Sequence, residues 1–436
     1  MYTKKTQTNK NARRREKRLL PRVRFPCWIL HRIKNFVEKE EVFLMRAIKR
    51  AICMFLVLLT VAVMQPAAFA KSANVHLRFD DNGEFVILHL TDWHCDYPLP
   101  AVHKQLVLES LAEAKPDLVV LGGDISEASP EDQPAALKEI CDIFVQARLP
   151  FVITFGNHDY FHEYTIDEMF AFYQTYGGKY FIGTDEQPSL FGCGTCSIPV
   201  YSGDGSRIAY NIYCFDSGCE VEGKGYDSVR PDQIAWYRKK AEALKDRNGG
   251  TYVPSVVFQH IIVQEIYEKL FPAAKTRTGK NVMQYDGKAY KLKKLPNLSN
   301  IKDGYIFEHP CPGYYNHGQL DAMSKNGDVR AIINGHDHYN SFTVEINGVD
   351  IVNTPSVKPH KLRTMLNWGS RVITLHEDGT YESKVLLTMD LAKKKDSQLI
   401  AVGAVSKLKL FFAKLWHGIA DFLAIFGRAA ARLFYK

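Results

Sequence analysis

Positive charge is missing where a nucleic-acid-binding body would need it. The 436-residue chain carries a formal +8, but its two ends hold all of that excess. Residues 1–70 sum to +12 and residues 407–436 to +5, leaving −9 for residues 71–406. The basic pI therefore describes the ends, and no nucleic-acid-binding surface is expected on the body. Two other devices are absent: a G-x-S-x-G elbow for a serine nucleophile and a G-x-x-x-x-G-K-[ST] phosphate loop. Cysteine is sparse, at nine. A lone CxxC, Cys193 and Cys196, has no second half to complete a zinc site and no thioredoxin-like strand and helix around it. A local disulfide is the expectation there. Residues 71–389 contain neither an internal repeat nor a low-complexity stretch.

The composition is that of an ordinary globular protein, 46% hydrophobic and 24% charged, with length for one large domain or two small ones. Residues 1–44 form a basic extension, and Met45 is a candidate true start. From Met45 the chain reads MRAIKR, then AICMFLVLLTVAV, then MQPAAFA, the order of an export signal ending at Ala70. An uncleaved anchor with a basic cytoplasmic tail is the alternative for residues 45–70. Cleavage would remove Cys27 and Cys53 and leave an odd seven cysteines.

Residues 407–436 set a basic stripe, including Lys407, Lys414, Arg428 and Arg432, against a wide apolar face with Phe411, Leu415, Trp416, Ile419 and Phe422. That pattern suits a helix lying in a membrane interface, or one docked on the protein's own core. Residues 390–406 read as a linker before it. The location expected from both ends is exported, in the cell envelope or outside the cell, with membrane association.

In the body, strand-like runs alternate with helix-like ones: 85–90 then 101–114, 117–123 then 131–147, 150–156 then 166–176. This alternation predicts a parallel sheet with helices on its faces. The later segments 207–215, 341–353 and 370–387 read as hairpin pieces, so an antiparallel second half is expected. A helix at 231–244 begins with Pro231, a residue favoured at helix starts.

Each strand runs into metal-ligating side chains. FVILHL leads to Asp92 and His94, DLVVL to Asp124, PFVITF to Asn157, His158 and Asp159, PSVVF to His260, and VRAII to His336 and His338. Ligands of open α/β sheets bind at the carboxyl edge of the strands. Asp, Asn and His without Cys suit Mn, Fe, Zn or Mg better than a thiolate site. They are too many for one tetrahedral ion and enough for two, with a shared carboxylate between them. Asp124, alone at its strand end, is the natural bridge.

In this order, D-x-H, G-D, G-N-H-D, a lone His and G-H-x-H resemble the signature of calcineurin-like metallophosphoesterases. The resemblance covers residues 84–389 and is closest to the small purple-acid-phosphatase-like branch, through residues 216–237 and 316–323. It implies a four-layer αββα sandwich, of α/β (α+β) class, with two mixed sheets over residues 71–389. It also implies two divalent ions, Mn, Zn or Fe, and a phosphoester substrate. By position, Asp92, His94, Asp124 and His338 would hold the first ion, and Asp124, Asn157, His260 and His336 the second. His158 would stabilise charge or protonate the leaving oxygen, with Asp159 orienting its ring. Coloured members place an iron-binding tyrosine three residues after the motif-two aspartate, where this chain has Glu127, so a tyrosinate-to-iron colour is not expected. His162, Asn316 and His317 are the candidate substrate contacts. The activity expected is hydrolysis of phosphate monoesters. The alternatives are a phosphodiesterase on nucleotides or phospholipid head groups and, from another class, an inactive membrane-anchored binding module.

Overall fold

The computed structural model describes residues 76–279, 281–292, 296–358 and 367–402. The N-terminal extension, the segment expected to direct export and the C-terminal stretch 407–436 lie outside the described residues. Strand β1 (Glu84–Leu90) opens the body and is followed by helix α1 (Ala101–Ala114). Strand β2 (Leu118–Leu121), helix α2 (Gln133–Ala147), strand β3 (Phe151–Ile153) and helix α3 (Ile166–Gly177) continue the alternation. Thr165 and Glu168 form a capping box that starts α3.

Next come β4 (Cys196–Tyr201), β5 (Ile208–Cys214) and a small hairpin, β6 (Glu220–Val221) with β7 (Gly225–Tyr226). Helix α4 (Pro231–Arg247), β8 (Ser255–Phe258) and helix α5 (Ile266–Leu270) lead to a second hairpin, β9 (Val282–Tyr285) with β10 (Lys288–Lys291). Strand β11 (Ile301–Asp303), helix α6 (Gln319–Asn326) and strands β12 (Val329–Asn334), β13 (Thr343–Ile346) and β14 (Val349–Asn353) follow. Strands β15 (Gly369–His376) and β16 (Tyr381–Leu387) and the short helix α7 (Thr388–Leu391) close the described chain.

Two large sheets organise these elements. The first has the order β16-β15-β1-β2-β3, and the second β11-β13-β14-β12-β8-β5-β4. In the first, β1, β2 and β3 are parallel while β15 and β16 are antiparallel additions beside β1. The second corrects the expectation of an antiparallel half. Its centre, β14-β12-β8-β5, is parallel, and only its flanks are antiparallel. The 370–387 hairpin also belongs to the first sheet and not to the second.

Side chains alternate across each strand and so divide into three cores. Ile87, Val120, Val152, Ile212, Phe258, Ile333 and Ile373 meet between the two sheets. Leu88, Leu121 and Ile153 turn outward to α1, α2 and α3, where Val107, Leu137 and Phe144 cover them. On the far side Tyr213, Val257 and Ile332 pack under α4 and α6 through Tyr237, Leu320 and Met323. Helix, sheet, sheet, helix is therefore the layer order, the αββα sandwich. At about 1.5–3 kcal/mol for each large side chain fully buried, these three cores supply the drive to fold.

Two sequence expectations fail here for packing reasons. Residues 390–402 are not a free linker, because Leu391, Ala392 and Leu399 are buried in the core beneath α1. Cys193 and Cys196 do not form a disulfide but stand as free thiols. Cys193 enters the outer core and Cys196 the core between the sheets. Among the described residues no helix is long and apolar enough to cross a membrane.

Candidate metal centre

All five motif strands end at one edge, and the chain reverses sharply there to aim its side chains inward. Asp92, His94, Asp124 and His336 all take positive φ, at 52°, 42°, 53° and 69°. Non-glycine residues avoid that region, and four of them at one site mark strain held by surrounding structure. Close approach also dictates two glycines. A Cβ on Gly156 would overlap the Asp124 carboxylate, and one on Gly335 would overlap Thr91 Oγ1.

Side-chain atoms of Asp92, His94, Asp124 and His338 gather within 4.8 Å of one another, as do those of Asp124, His260 and His336. Asp124 belongs to both groups. His94 Nε2 lies 3.2 Å from His338 Nε2 and 3.6 Å from Asp124 Oδ2. His338 Nε2 is 3.3 Å from Asp92 Oδ1, and His260 Nε2 is 3.2 Å from Asp124 Oδ2. Ligands bound about 2.0–2.1 Å from one ion sit roughly 3.0–3.4 Å apart, so the three edges of 3.2–3.3 Å fit a divalent cation and the 3.6 Å edge is slightly long.

Hydrogen bonding gives an independent test of fit. Asp92 Oδ1, Asn157 Oδ1, His260 Nε2 and His336 Nε2 are buried with no hydrogen-bond partner. A buried polar atom left unsatisfied costs about 1–3 kcal/mol, and these four belong to motif residues at one strand edge, where bound cations would satisfy them together. The opposite atoms are tied down. Asp92 Oδ2 accepts from Thr91 Oγ1 at 2.8 Å and from the His336 amide at 3.0 Å. His260 Nδ1 donates to the Gly122 carbonyl at 2.7 Å, which turns Nε2 toward the carboxylates as the ring's metal-facing nitrogen.

The electrostatics agree. Burial pushes the Asp124 carboxyl up, but His260 and the other imidazoles outweigh it and hold Asp124 at about 2. Asp92 is likewise held far below the usual range, against its burial, by His260, His338 and His94. Burial lowers His260, yet Asp124 and Asp92 drive it up to about 10, so without an ion its Nε2 carries a proton facing Asp124 Oδ2, in the place a cation would take. His336 falls to about 3 through burial and the charge of His260, so it is the neutral imidazole that a cation needs.

His158 stands beside this cluster and outside both groups. Its ring is edge-on to His94 at 4.8 Å and to Phe161 at 5.4 Å, and its amide donates to Asp124 Oδ1 at 2.8 Å. Asp159 does not orient that ring. Its Oδ2 instead accepts the amides of Asp124 at 2.9 Å and Gly156 at 2.8 Å, clamping two strand-end loops from behind. The carboxylate that gathers with the rings of His94 and His158 is Glu127.

A family model described as "Calcineurin-like phosphoesterase" matches residues 85–340, more than half of the chain. The chain belongs to that family. Every motif residue from Asp92 to His338 lies within the matched span. The chain is similar to the Arabidopsis thaliana protein named "Probable inactive purple acid phosphatase 14", at 23% identity over 333 residues, 68% of this chain and 76% of the relative. A second Arabidopsis thaliana relative, "Probable inactive purple acid phosphatase 29", is 24% identical over 309 residues, 63% of this chain and 72% of its own. Among solved structures, a dimetal phosphatase from Danio rerio aligns with a TM-score of 0.44 at 11% identity, over 67% of this chain and 93% of that one.

The candidate substrate contacts of this calcineurin-like phosphoesterase are less unified. His162 Nε2 faces the Ser126 carbonyl at 3.1 Å, two residues past Asp124. Asn316 is committed to Glu265 at 2.9 Å, and His317 stacks on Tyr315. Sequence reading missed Tyr226, whose ring meets His336 edge-on at 4.1 Å, and Lys358, which donates to the His94 carbonyl at 2.7 Å. Neither stands at the end of a motif strand: Tyr226 comes from the small β6–β7 hairpin and Lys358 from the segment after β14.

Proposed function

We propose that this chain is a dinuclear-metal phosphoesterase that hydrolyses phosphate monoesters. The observation that carries the reading is the pair of side-chain groups sharing Asp124, with four buried ligand atoms that no hydrogen bond satisfies. Asp92, His94, Asp124 and His338 would hold one divalent ion, and Asp124, Asn157, His260 and His336 the other. Ions so placed supply positive charge against phosphate oxygens and make water more acidic, the chemistry of two-metal hydrolases.

The chain's own groups do the rest. Asp124 and Asp92, kept ionised by their neighbours, supply the anionic ligands. Asp159 holds the Asp124 and Gly156 amides, which fixes the bridging carboxylate against the G-N-H loop. His158 is half-buried at the rim, where its imidazole can give a proton to a departing alcohol oxygen or stabilise charge on the phosphate. Phe161, 56% exposed beside it, offers an apolar wall to the leaving group.

A phosphodiesterase acting on nucleotides or phospholipid head groups uses the same machinery. The names of the two Arabidopsis relatives favour a further reading, a metal-binding module without turnover. Against that reading stands the complete set of motif residues, His158 included. Export and membrane association through residues 45–70 and 407–436 complete the proposal. Mass spectrometry of the secreted N-terminus tests the first and vesicle flotation the second. Turnover of an aryl phosphate monoester against the matching diester, with Mn, Zn or Fe(II), tests the chemistry. Monoester preference supports the reading, diester preference moves the substrate class, and no turnover with two bound ions supports the binding module.

A further inference from the structure

On the far side of the His94 ring from the metal cluster, a carboxylate and an ammonium form a small relay. Glu127 Oε1 lies 2.8 Å from His94 Nδ1. Lys358 Nζ reaches Glu127 Oε2 at 3.2 Å and the His94 carbonyl at 2.7 Å. The segment carrying Lys358 is itself anchored to the metal loops. Val357 donates its amide to Thr91 O at 3.1 Å, and Ser356 Oγ donates to Asp92 O at 2.7 Å. Glu127 is 38% exposed and Lys358 22%, whereas the His94 side chain is 3% exposed. The charged pair thus faces solvent while the imidazole between it and the cluster is buried.

An imidazole has two nitrogens and, when neutral, one hydrogen. The Glu127 approach sits off the direction of an aligned hydrogen bond, so His94 Nδ1 counts as buried without a hydrogen-bond partner despite the 2.8 Å separation. A carboxylate oxygen at that distance still repels a bare lone pair on Nδ1 and favours the tautomer with N–H there, and a small turn of the partly exposed Glu127 side chain would align the bond. The hydrogen is therefore held on Nδ1, and the lone pair on Nε2 points to His338 and Asp124. Outer partners of this kind fix ring orientation and raise ligand basicity, and losing one typically costs about 10–100-fold in metal affinity.

We infer that Glu127, pinned by Lys358, is a positioning residue that orients His94 and sets the affinity of the first ion position. This rests on the dinuclear reading, and the test separates the two. Co(II) binding to the full chain is titrated against a competing chelator for wild type, Glu127→Ala, Glu127→Gln and Lys358→Met. Histidine ring N–H resonances of the Co(II)-loaded protein are recorded alongside.

Wild type should bind two ions. Glu127→Ala should weaken one of the two by about 10–100-fold and leave the other within twofold. Glu127→Gln, whose amide oxygen still accepts from N–H, should lose less, and Lys358→Met should also fall between. In the spectra, Glu127→Ala should broaden or remove one shifted N–H signal. The signal from His260, whose hydrogen is bound by the Gly122 carbonyl, should persist as an internal control. Two ions bound with wild-type affinities by all three variants, with every N–H signal retained, overturns the positioning role alone. Wild type binding no ions overturns the dinuclear reading and this inference with it. A Glu127→Ala chain that fails to fold leaves the decision to Glu127→Gln and Lys358→Met.

Discussion

His94 Nε2 and His338 Nε2 face each other across 3.2 Å although their residues are 244 apart in sequence. Two imidazole lone pairs at that distance repel unless a proton or a cation lies between them. Asp92 and Asp124 border the same space. The arrangement makes sense as one side of a metal site.

His158 should matter to turnover and not to metal content. Its ring touches His94 and Phe161 but belongs to neither ligand group. Replacing it with Ala should lower kcat by about 10²–10⁴-fold, the usual range for a lost acid–base group, with two ions still bound. Steady-state kinetics paired with metal analysis checks both parts.

Gly156→Ala should damage the centre without replacing a ligand. Its Cβ would overlap the Asp124 carboxylate and press on the His260 ring at 2.8 Å. Thermal unfolding should show about 1–3 kcal/mol of lost stability, the usual cost of overpacking. Metal analysis should show reduced occupancy.

Asp159→Asn should also destabilise, for a different reason. An amide group can keep its oxygen on the Asp124 and Gly156 amides, which now donate to Oδ2 at 2.9 and 2.8 Å, only by turning its NH2 toward the Ile125 amide, which donates to Oδ1 at 3.4 Å. Removing such acceptors costs about 1–3 kcal/mol. Denaturant unfolding of the chelated protein checks it free of any effect on ion binding.

Asp216 gives the fold a pH signature away from the metals. Burial pushes its carboxyl up to about 6, opposed by donors from Tyr160 Oη at 2.7 Å, Cys193 N and Gly218 N at 2.9 Å. The folded protein thus holds this proton more tightly than the unfolded chain does. Its contribution is present in full below about pH 4 and is lost as pH rises through about 6. The stability difference between wild type and Asp216→Asn should therefore shrink by about 2–3 kcal/mol from pH 4 to pH 7. Paired denaturant curves across that range check it, and a constant difference contradicts it.

What the sequence made legible follows from local geometry. A strand run followed by Gly and Asp or His announces both the element and the edge where its side chains emerge, so Asp92, Asp124, Asn157, His260 and His336 were readable one motif at a time. Pairings across the chain were not. The parallel join of β12 to β14 passes over β13, and periodicity within each strand is the same for either direction. Asp159 follows His158 in sequence, yet the helical turn at His158–Tyr160 sends its carboxylate behind the loop and away from the ring. Glu127 was visible only as a departure from a tyrosine, because its partner Lys358 lies 231 residues away. Residues 390–402 looked polar enough for a linker, and the few apolar side chains that bury them are too widely spaced to show a period.

The most direct test of the dinuclear reading is turnover measured against bound metal. Chelated wild type and Asp124→Ala are titrated with Mn(II) while bound ions and hydrolysis of an aryl phosphate monoester are followed together. The expected result is no turnover after chelation, turnover that rises with the second equivalent in wild type, and neither the second ion nor turnover in Asp124→Ala. Two ions bound by wild type with no hydrolysis of monoester or diester would contradict the enzyme and leave a metal-binding module in its place.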